Sequence, residues 1–310
     1  LYVARGVERR LSLVIQGLGG GKMVFSVIGG DMRQIQLMNI LLDKGNKVKA
    51  FGFENLEDER INLYSNIQTD FFDCDVLILP IPYKNSDGNI NIKQSNIVLS
   101  LKEIAEHISD YKPWIVLGKA DKEFKELAFT KGIEYTDITQ MESFSILNAI
   151  PTAEGAIQRA MEMTDITIHG ANVLVLGYGR IGRCLSRMLK GIGAKVTVEA
   201  RKEEDLSWII ENGYKPIHLK ELETVLPYQD IIFNTIPHLI LDKKKLAMVN
   251  NKAVIIDVSS HPGGVDFDAA KDFGIKTSLD LGLPGIVAPR TSAQIIYRIM
   301  ENCINGKYHR

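Results

Sequence analysis

The amino-acid sequence predicts an α/β protein of two parallel-sheet domains, the second of them built to hold a dinucleotide. Short apolar runs alternate with helical patterns through both halves of the chain, as strands and their covering helices do in a parallel sheet. Near the middle, Asn172-Val173-Leu174-Val175-Leu176 feeds Gly177-Tyr178-Gly179-Arg180-Ile181-Gly182, and a helical pattern (Cys184, Leu185, Met188, Leu189) follows at once. A length of 310 residues suits two hydrophobic cores better than one. Both domains are therefore expected to be Rossmann-like.

Residues 1–22 stand apart from this alternation. Leu11-Ser12-Leu13-Val14-Ile15 is too short for a signal-peptide core and lacks a small-residue cleavage site. Gly19-Gly20-Gly21-Lys22 before Met23 would be encoded by purine-rich codons resembling a bacterial ribosome-binding site. Met23 is thus the expected start, and residues 1–22 a non-native leader.

The first domain is expected over residues 23–150. Its strands are Val24–Ile28, Val48–Phe53, Val76–Leu79, Trp114–Leu117 and Ile133–Tyr135. Met32–Asp43 reads as a helix because Ile35, Leu37, Met38 and Leu41 share one face, and Lys122–Lys131 reads as another. Lys84–Asn96 is polar, contains Asp87-Gly88 and reads as a turn or loop. The second domain is expected over residues 151–288, entered by a linker helix from about Thr152 to Asp165, with Thr152 as cap and Glu154 complementing the helix dipole. Its strands are Val173–Leu176, Val196–Glu199, Ile231–Asn234, Ala253–Val258 and Lys276–Ser278. Residues 289–310 carry a last amphipathic helix, Thr291–Asn302, expected to pack back towards the interdomain cleft.

The glycine motif carries most of the chemistry. Gly177 permits a tight turn, Gly179 lets the backbone approach a pyrophosphate, and Gly182 lets helix and strand pack closely, while Arg180 and Ile181 supply first-turn backbone groups. The phosphates would rest on unpaired N–H groups at the positive end of the helix. An acid that holds the ribose 2′-hydroxyl of NAD usually falls about 20 residues past the glycines. Here that place reads Ala200, followed by Arg201 and Lys202, which suits the 2′-phosphate of NADP. Two alternatives stand beside this reading: the cations are merely solvated, or Glu199, shifted by one position, restores an NAD site. Ligands bind at the carboxyl ends of such strands. Thr235 and Pro237, with Val258 and Ser259, are accordingly expected to flank the nicotinamide end, although Pro262-Gly263-Gly264 also reads as a simple turn.

Substrate-side candidates follow from the same rule. Gly29-Gly30-Asp31-Met32-Arg33 follows the first strand and looks like an anion site, with Asp31 as helix cap and Arg33 either binding a carboxylate or facing solvent. Asn148–Gly155 and Gly282–Thr291 read as loops emptying into helix N-termini, which assigns Thr152, Glu154 and Arg290 to substrate. His261 lies at the carboxyl end of a strand and is the general-base candidate; His169 precedes a strand and reads as structural.

Composition narrows the classes. A net charge of −1 gives no reason to expect nucleic acid or an anionic membrane as partner, and no apolar run approaches a membrane span. Three isolated cysteines, Cys74, Cys184 and Cys303, form neither a metal spacing nor a disulfide framework, which points to a reducing cytoplasm and to no metal site. No Ser/His/Asp order and no P-loop is present.

Five segments in order, Ile28-Gly29-Gly30-Asp31-x-Arg33, Asn148-x-Ile150-Pro151-Thr152-x-Glu154-Gly155, Thr167-Ile168-His169-Gly170, Asn234-Thr235-Ile236-Pro237 and Leu283-Pro284-Gly285-Ile286-Val287-Ala288-Pro289, resemble the dipicolinate synthase A-subunit family of endospore-forming bacteria. The resemblance runs from about Val24 to the last helix. It implies a formate/glycerate-dehydrogenase-like arrangement and the oxidation of dihydrodipicolinate to dipicolinate with NADP⁺ during sporulation. It also implies a partner, the flavoprotein-like B-subunit of the synthase, and a place in the mother-cell cytoplasm; a homo-oligomer is expected. Two other functions fit the same fold. D-2-hydroxyacid dehydrogenases carry an Arg after the fifth nucleotide-domain strand and a His before the last helix, where this chain has Ser259-Ser260-His261 and Ala288-Pro289-Arg290. A non-catalytic NADP-binding scaffold would need no acid–base pair.

Overall fold

A computed structural model describes residues 22–54, 56–108 and 111–306, and the chain divides into two compact units. One comprises the residues up to Ser145 together with those from Pro289 onwards; the other is Ile146–Ala288. The leader expected over residues 1–22 lies outside the described residues, apart from Lys22. No helix among the described residues is long and apolar enough to cross a membrane.

The first unit is built on six parallel strands: β1 (Val24–Ile28), β2 (Lys47–Phe51), β3 (Ile61–Tyr64), β4 (Val76–Ile78), β5 (Trp114–Leu117) and β6 (Tyr135–Asp137). Their order is β3-β2-β1-β4-β5-β6. Central strands β1, β4 and β5 are buried on both faces, which is why each reads as an almost unbroken apolar run. The edge strand β3 escaped the sequence reading because only Ile61 of its four residues is buried. Helix α1 (Met32–Asp43) presents Leu37, Met38 and Leu41 to the core, all fully buried. Helices α2 (Leu101–Ile108) and α3 (Lys122–Lys131) complete the cover, α3 starting at the Asp121 cap and stopping where Gly132 turns left-handed at φ 62°.

The linker helix α4 (Glu142–Met163) starts ten residues earlier than its sequence signals suggest. Pro151 looked like a first-turn proline, yet it sits inside the helix. Thr152 therefore caps nothing: it is buried, and its hydroxyl donates to the Asn148 carbonyl at 2.8 Å, the backward bond common for Thr within helices. What holds the helix together is its apolar face, on which Ala153, Ala156 and Ala160 are fully buried.

The second unit repeats the first sheet's order with β7 (Asn172–Leu176), β8 (Lys195–Ala200), β9 (Lys215–His218), β10 (Ile231–Asn234), β11 (Val254–Asp257) and β12 (Lys276–Leu279), arranged β12-β11-β10-β7-β8-β9. All its pairs are parallel, so this is a doubly wound sheet whose strand order reverses between β7 and β10. The β9 edge was missed in the sequence; it contains Pro216, which an edge strand tolerates because one side needs no ladder bond. Register places Leu176 opposite Glu199 and Asn234, and Asn234 opposite Asp257, so these strand ends form one row. Helices α5 (Arg180–Ile192), α6 (Glu203–Glu211), α7 (Lys243–Leu246), α8 (Phe267–Asp272) and α9 (Leu283–Val287) follow the strands. Gly155 of α4 faces Leu283 of α9, where an added Cβ would lie 3.0 Å from the leucine.

The last helix, α10 (Pro289–Ile304), belongs to the first unit and packs against α1. Lys44 lies over the Tyr297 ring there, 5.9 Å from its centroid.

Candidate functional site

The row of strand ends in the second unit is where the sequence concentrates its glycines, and each glycine has a separate job. Gly177 ends β7 with φ 93°, a conformation that disfavours any side chain, and its missing Cβ makes room for the Thr235 hydroxyl. Gly182, in the first turn of α5, lies so close to the strand that a Cβ would stand 2.0 Å from the Gly177 carbonyl oxygen. Gly179 differs. Its backbone is extended (φ −78°, ψ −162°), which any residue adopts, and an added Cβ would meet nothing within 4 Å. The packing of the fold therefore makes no demand for a glycine at this position. Arg180 and Ile181 occupy the first turn of α5, at the positive end of its dipole. This strand–turn–helix fits a dinucleotide pyrophosphate.

Around the turn the protein commits its own polar groups to holding the loop. Arg183 donates from Nε to the Tyr178 carbonyl at 3.0 Å, ion-pairs with Asp205 at 3.0 Å and lies over the Tyr178 ring at 5.0 Å. The Thr235 hydroxyl, expected at the nicotinamide end, donates to the Leu176 carbonyl at 2.8 Å and so braces the glycine turn. Pro237 is exposed. Val258 is buried and donates its N–H to the Asn234 carbonyl at 3.0 Å. Ser259 is buried too; its hydroxyl oxygen lies 3.4 Å from the Asn234 side-chain amide and accepts from it.

Two residues to which the sequence alone assigns no role organise this end of the sheet. Asp257, fully buried, accepts from the N–H groups of Ser259 at 2.9 Å and Gly264 at 2.7 Å, which fixes the loop after β11. Asn234, also fully buried, hydrogen-bonds both the N–H and the carbonyl of Ile236. Gly264 packs so tightly that a Cβ would stand 2.4 Å from the Asn234 amide nitrogen. Pro262-Gly263-Gly264 is therefore a built turn as well as a strand-end loop. The available signal was a lone polar residue closing an otherwise apolar strand, as in Ile231-Ile232-Phe233-Asn234 and Val254-Ile255-Ile256-Asp257. His261 is exposed on this loop.

At the end of β8, Ala200 is buried with Val196 and Val198, and Arg201 follows it, exposed. Glu199 points to the other sheet face under strand alternation and is 1% exposed. Its Oε2 accepts from the Gly177 N–H at 3.1 Å.

The glycine turn of the first unit is closed, contrary to its reading as an anion site. Gly29 donates to the Phe51 carbonyl, Gly30 to the Asn91 carbonyl, and Asp31 to the Gln34 side chain, all at 2.8–2.9 Å. Asp31 caps α1 in return. Arg33 faces neither solvent nor an open anion pocket: it is buried, its Nε and Nη2 donate to Asp31 at 2.9 and 2.8 Å, and Nη2 also reaches the Ile81 carbonyl at 2.6 Å. Burial alone would raise the Asp31 carboxyl, but the Arg33 hydrogen bonds and charge outweigh it and hold the group below the usual range. Glu154 is exposed on α4, and Arg290 is exposed on the first turn of α10. His169 packs on Gly193 ahead of β7, away from the strand ends that carry the glycines. Among the described residues no three His, Cys, Asp or Glu side chains are grouped to hold a metal.

Comparison with known proteins divides the chain in the same way. Residues 24–139 match the family model of the N-terminal domain of the dipicolinate synthase A-subunit, and residues 145–266 match the NAD-binding domain of D-isomer-specific 2-hydroxyacid dehydrogenases. The dipicolinate synthase A-subunit of Bacillus subtilis (strain 168) is 35% identical over 283 residues, which covers 90% of this chain and 95% of that protein. The crystal structure of the dipicolinate synthase A-subunit from Bacillus halodurans superposes with a TM-score of 0.83 at 32% identity, covering 92% of this chain and 99% of the other. D-lactate dehydrogenase from Escherichia coli, at 16% identity and a TM-score of 0.58 over 92% of this chain and 98% of its own, shares the fold.

Proposed function

Since the chain belongs to the dipicolinate synthase A-subunit family, we propose that it is the component that oxidises dihydrodipicolinate to dipicolinate with NADP⁺. The observation that carries the cofactor part of this reading is Gly179, a glycine in ordinary extended backbone with open space where its side chain would be. Gly177, Gly179 and Gly182 with Arg180 and Ile181 would receive the pyrophosphate, and Arg201 beside the buried Ala200 would take the 2′-phosphate. When bound, NADP⁺ supplies a hydride acceptor. The substrate ring loses one hydride and one proton and becomes aromatic, so the protein need mainly position the ring and receive a proton. His261, exposed on the loop after β11, is the candidate acceptor. Arg290 is the candidate for a substrate carboxylate, an exposed cation on a first helical turn, which the helix dipole disfavours unless an anion compensates it. The flavoprotein-like B-subunit, self-association and a mother-cell cytoplasm complete the proposal.

A D-2-hydroxyacid dehydrogenase would need an Arg within the segment that reads Ser259-Ser260-His261 here, and a His within the one that reads Ala288-Pro289-Arg290; neither is present.

The direct test is NADPH formation by the isolated chain, followed by absorbance, with dihydrodipicolinate as substrate. Turnover supports the reading; NADP⁺ binding without turnover, whether or not the B-subunit is added, replaces it by a scaffold role. Arg201→Ala should remove most of any preference for NADP over NAD, about 1–3 kcal/mol for a charged hydrogen bond. Arg290→Ala should raise KM for dihydrodipicolinate roughly tenfold, about 1.4 kcal/mol, with NADP affinity little changed. An unchanged KM removes Arg290 from the site.

A further inference from the structure

Glu199 is a buried carboxyl in the cofactor end of the second sheet that the proposed reaction does not use. Its Oε2 accepts from the Gly177 N–H at 3.1 Å, while Oε1, equally buried, has no hydrogen-bond partner among the described residues. It precedes Ala200 and Arg201, the two residues assigned above to the 2′-position, and its neighbours in charge are Arg201, just past the end of its own strand, and His218 on the adjoining β9. From the end of β7 the Gly177 N–H faces it. Strand alternation keeps its side chain off the face occupied by Ala200, so it does not replace the missing ribose-holding acid.

We propose that Glu199 sets the cofactor preference through its proton. Neutral, it leaves Arg201 free for a 2′-phosphate; ionised, it repels that phosphate and holds Arg201 for itself, so NADP binding draws one proton onto this carboxyl. The inference rests on the NADP reading above and deepens it. Burial raises the Glu199 carboxyl above its ordinary value, against the lowering effects of the Gly177 N–H, Arg201 and His218, so the group is poised to take that proton. A second anion nearby raises it further. The sign follows: NADP affinity falls as pH rises through the Glu199 titration, and NAD affinity, which lacks the phosphate, does not.

Binding of NADPH and NADH, read by nicotinamide fluorescence between about pH 5.5 and 8.5, tests this in the unmutated protein and in Glu199→Gln. The 2′-phosphate itself titrates near pH 6. Its ³¹P shift in the complex therefore isolates its share, which persists in the glutamine variant. The expected result is an NADPH affinity that falls roughly tenfold or more in the unmutated protein beyond that share, and a glutamine variant that binds NADPH roughly fivefold or more tighter at about pH 8, with NADH changed less than about twofold. Calorimetry in two buffers of different ionisation enthalpy should find close to one proton taken up with NADPH at about pH 8 and none with NADH. That second measurement needs no variant and so stands even if Glu199→Gln fails to fold. Identical pH profiles in the two proteins, or no proton uptake beside a dianionic bound phosphate, overturn the inference while leaving an NADP preference intact. Equal or absent binding of both cofactors at every pH takes down the NADP reading and this inference with it.

Discussion

Gly179→Ala should strip the protein of its dinucleotide and leave the fold intact, whereas Gly182→Ala should damage both. Alanine adopts the extended backbone of Gly179 without strain, and its methyl group would project into space empty to 4 Å. As a helix N-cap, the exchange should shift stability by no more than about 1 kcal/mol. The methyl would, however, occupy the place of closest approach to a pyrophosphate, so NADPH affinity should fall roughly tenfold or more, at least about 1.4 kcal/mol. At Gly182 the new methyl would collide with the Gly177 carbonyl oxygen at 2.0 Å, a backbone atom that cannot swing aside. Helix and strand must then separate. Overpacking of this kind typically destabilises by about 1–3 kcal/mol, and the backbone clash places it at the upper end. Affinity should drop about a hundredfold or more, since the turn itself shifts. Gly191→Ala in the same helix is the control: nothing lies within 4 Å, and stability should rise by up to about 1 kcal/mol. Thermal melts and fluorescence titration of NADPH measure all three. Normal cofactor binding by Gly179→Ala would remove the main support for a dinucleotide at this turn.

Arg33→Ala should unfold the first unit more readily and should leave substrate recognition alone. The guanidinium is buried, and its loss strands the Asp31 carboxylate, whose side chain is 15% exposed, together with the Ile81 carbonyl. Breaking a buried pair by removing one partner costs about 3–5 kcal/mol, and the residual exposure of Asp31 favours the lower figure. Arg33→Lys should recover only part of it, because an ammonium cannot match the paired Nε and Nη2 bonds to one carboxylate. The pH dependence has a definite sign. Asp31 has its carboxyl lowered in the folded protein, so the stability it contributes is complete above the ordinary carboxylate range and is lost as pH falls through the lowered value. The gap between parent and Arg33→Ala should begin to narrow where Asp31 of the variant, no longer held down by the guanidinium, takes up its proton, and should go on narrowing as pH falls to the lowered value of the parent. Urea unfolding at several pH values reads this directly. A loss below about 1 kcal/mol accompanied by a raised KM would return Arg33 to substrate binding.

What was legible in the sequence is what is local. β7, the glycine turn and α5 are contiguous, and each announces itself by apolar period or by glycine spacing, so this strand–turn–helix is legible from residues alone. The doubly wound class was legible for the same reason: strands buried on both faces cannot hide their composition. Strands β3 and β9 were not, because an edge strand buries few residues and leaves little pattern. Pro151 misled because a proline marks a helix start only when tertiary packing does not carry the helix through it, as the buried alanines of α4 do.

The sequence by itself therefore determined the α/β class, the place of the glycine turn and the residue types at its strand ends. Tertiary structure alone decided which of those groups remain available. Arg33 is spent on the carbonyl of Ile81, 48 residues away, and the Gly30 N–H on Asn91. Thr235 braces the Leu176 carbonyl 59 residues back, and Glu199 turns from the Ala200 face towards Gly177. A sequence shows which donors and charges a chain carries and how often they recur along it. Whether a donor is already satisfied depends on a partner brought near by the sheet register, and no periodicity records that distance.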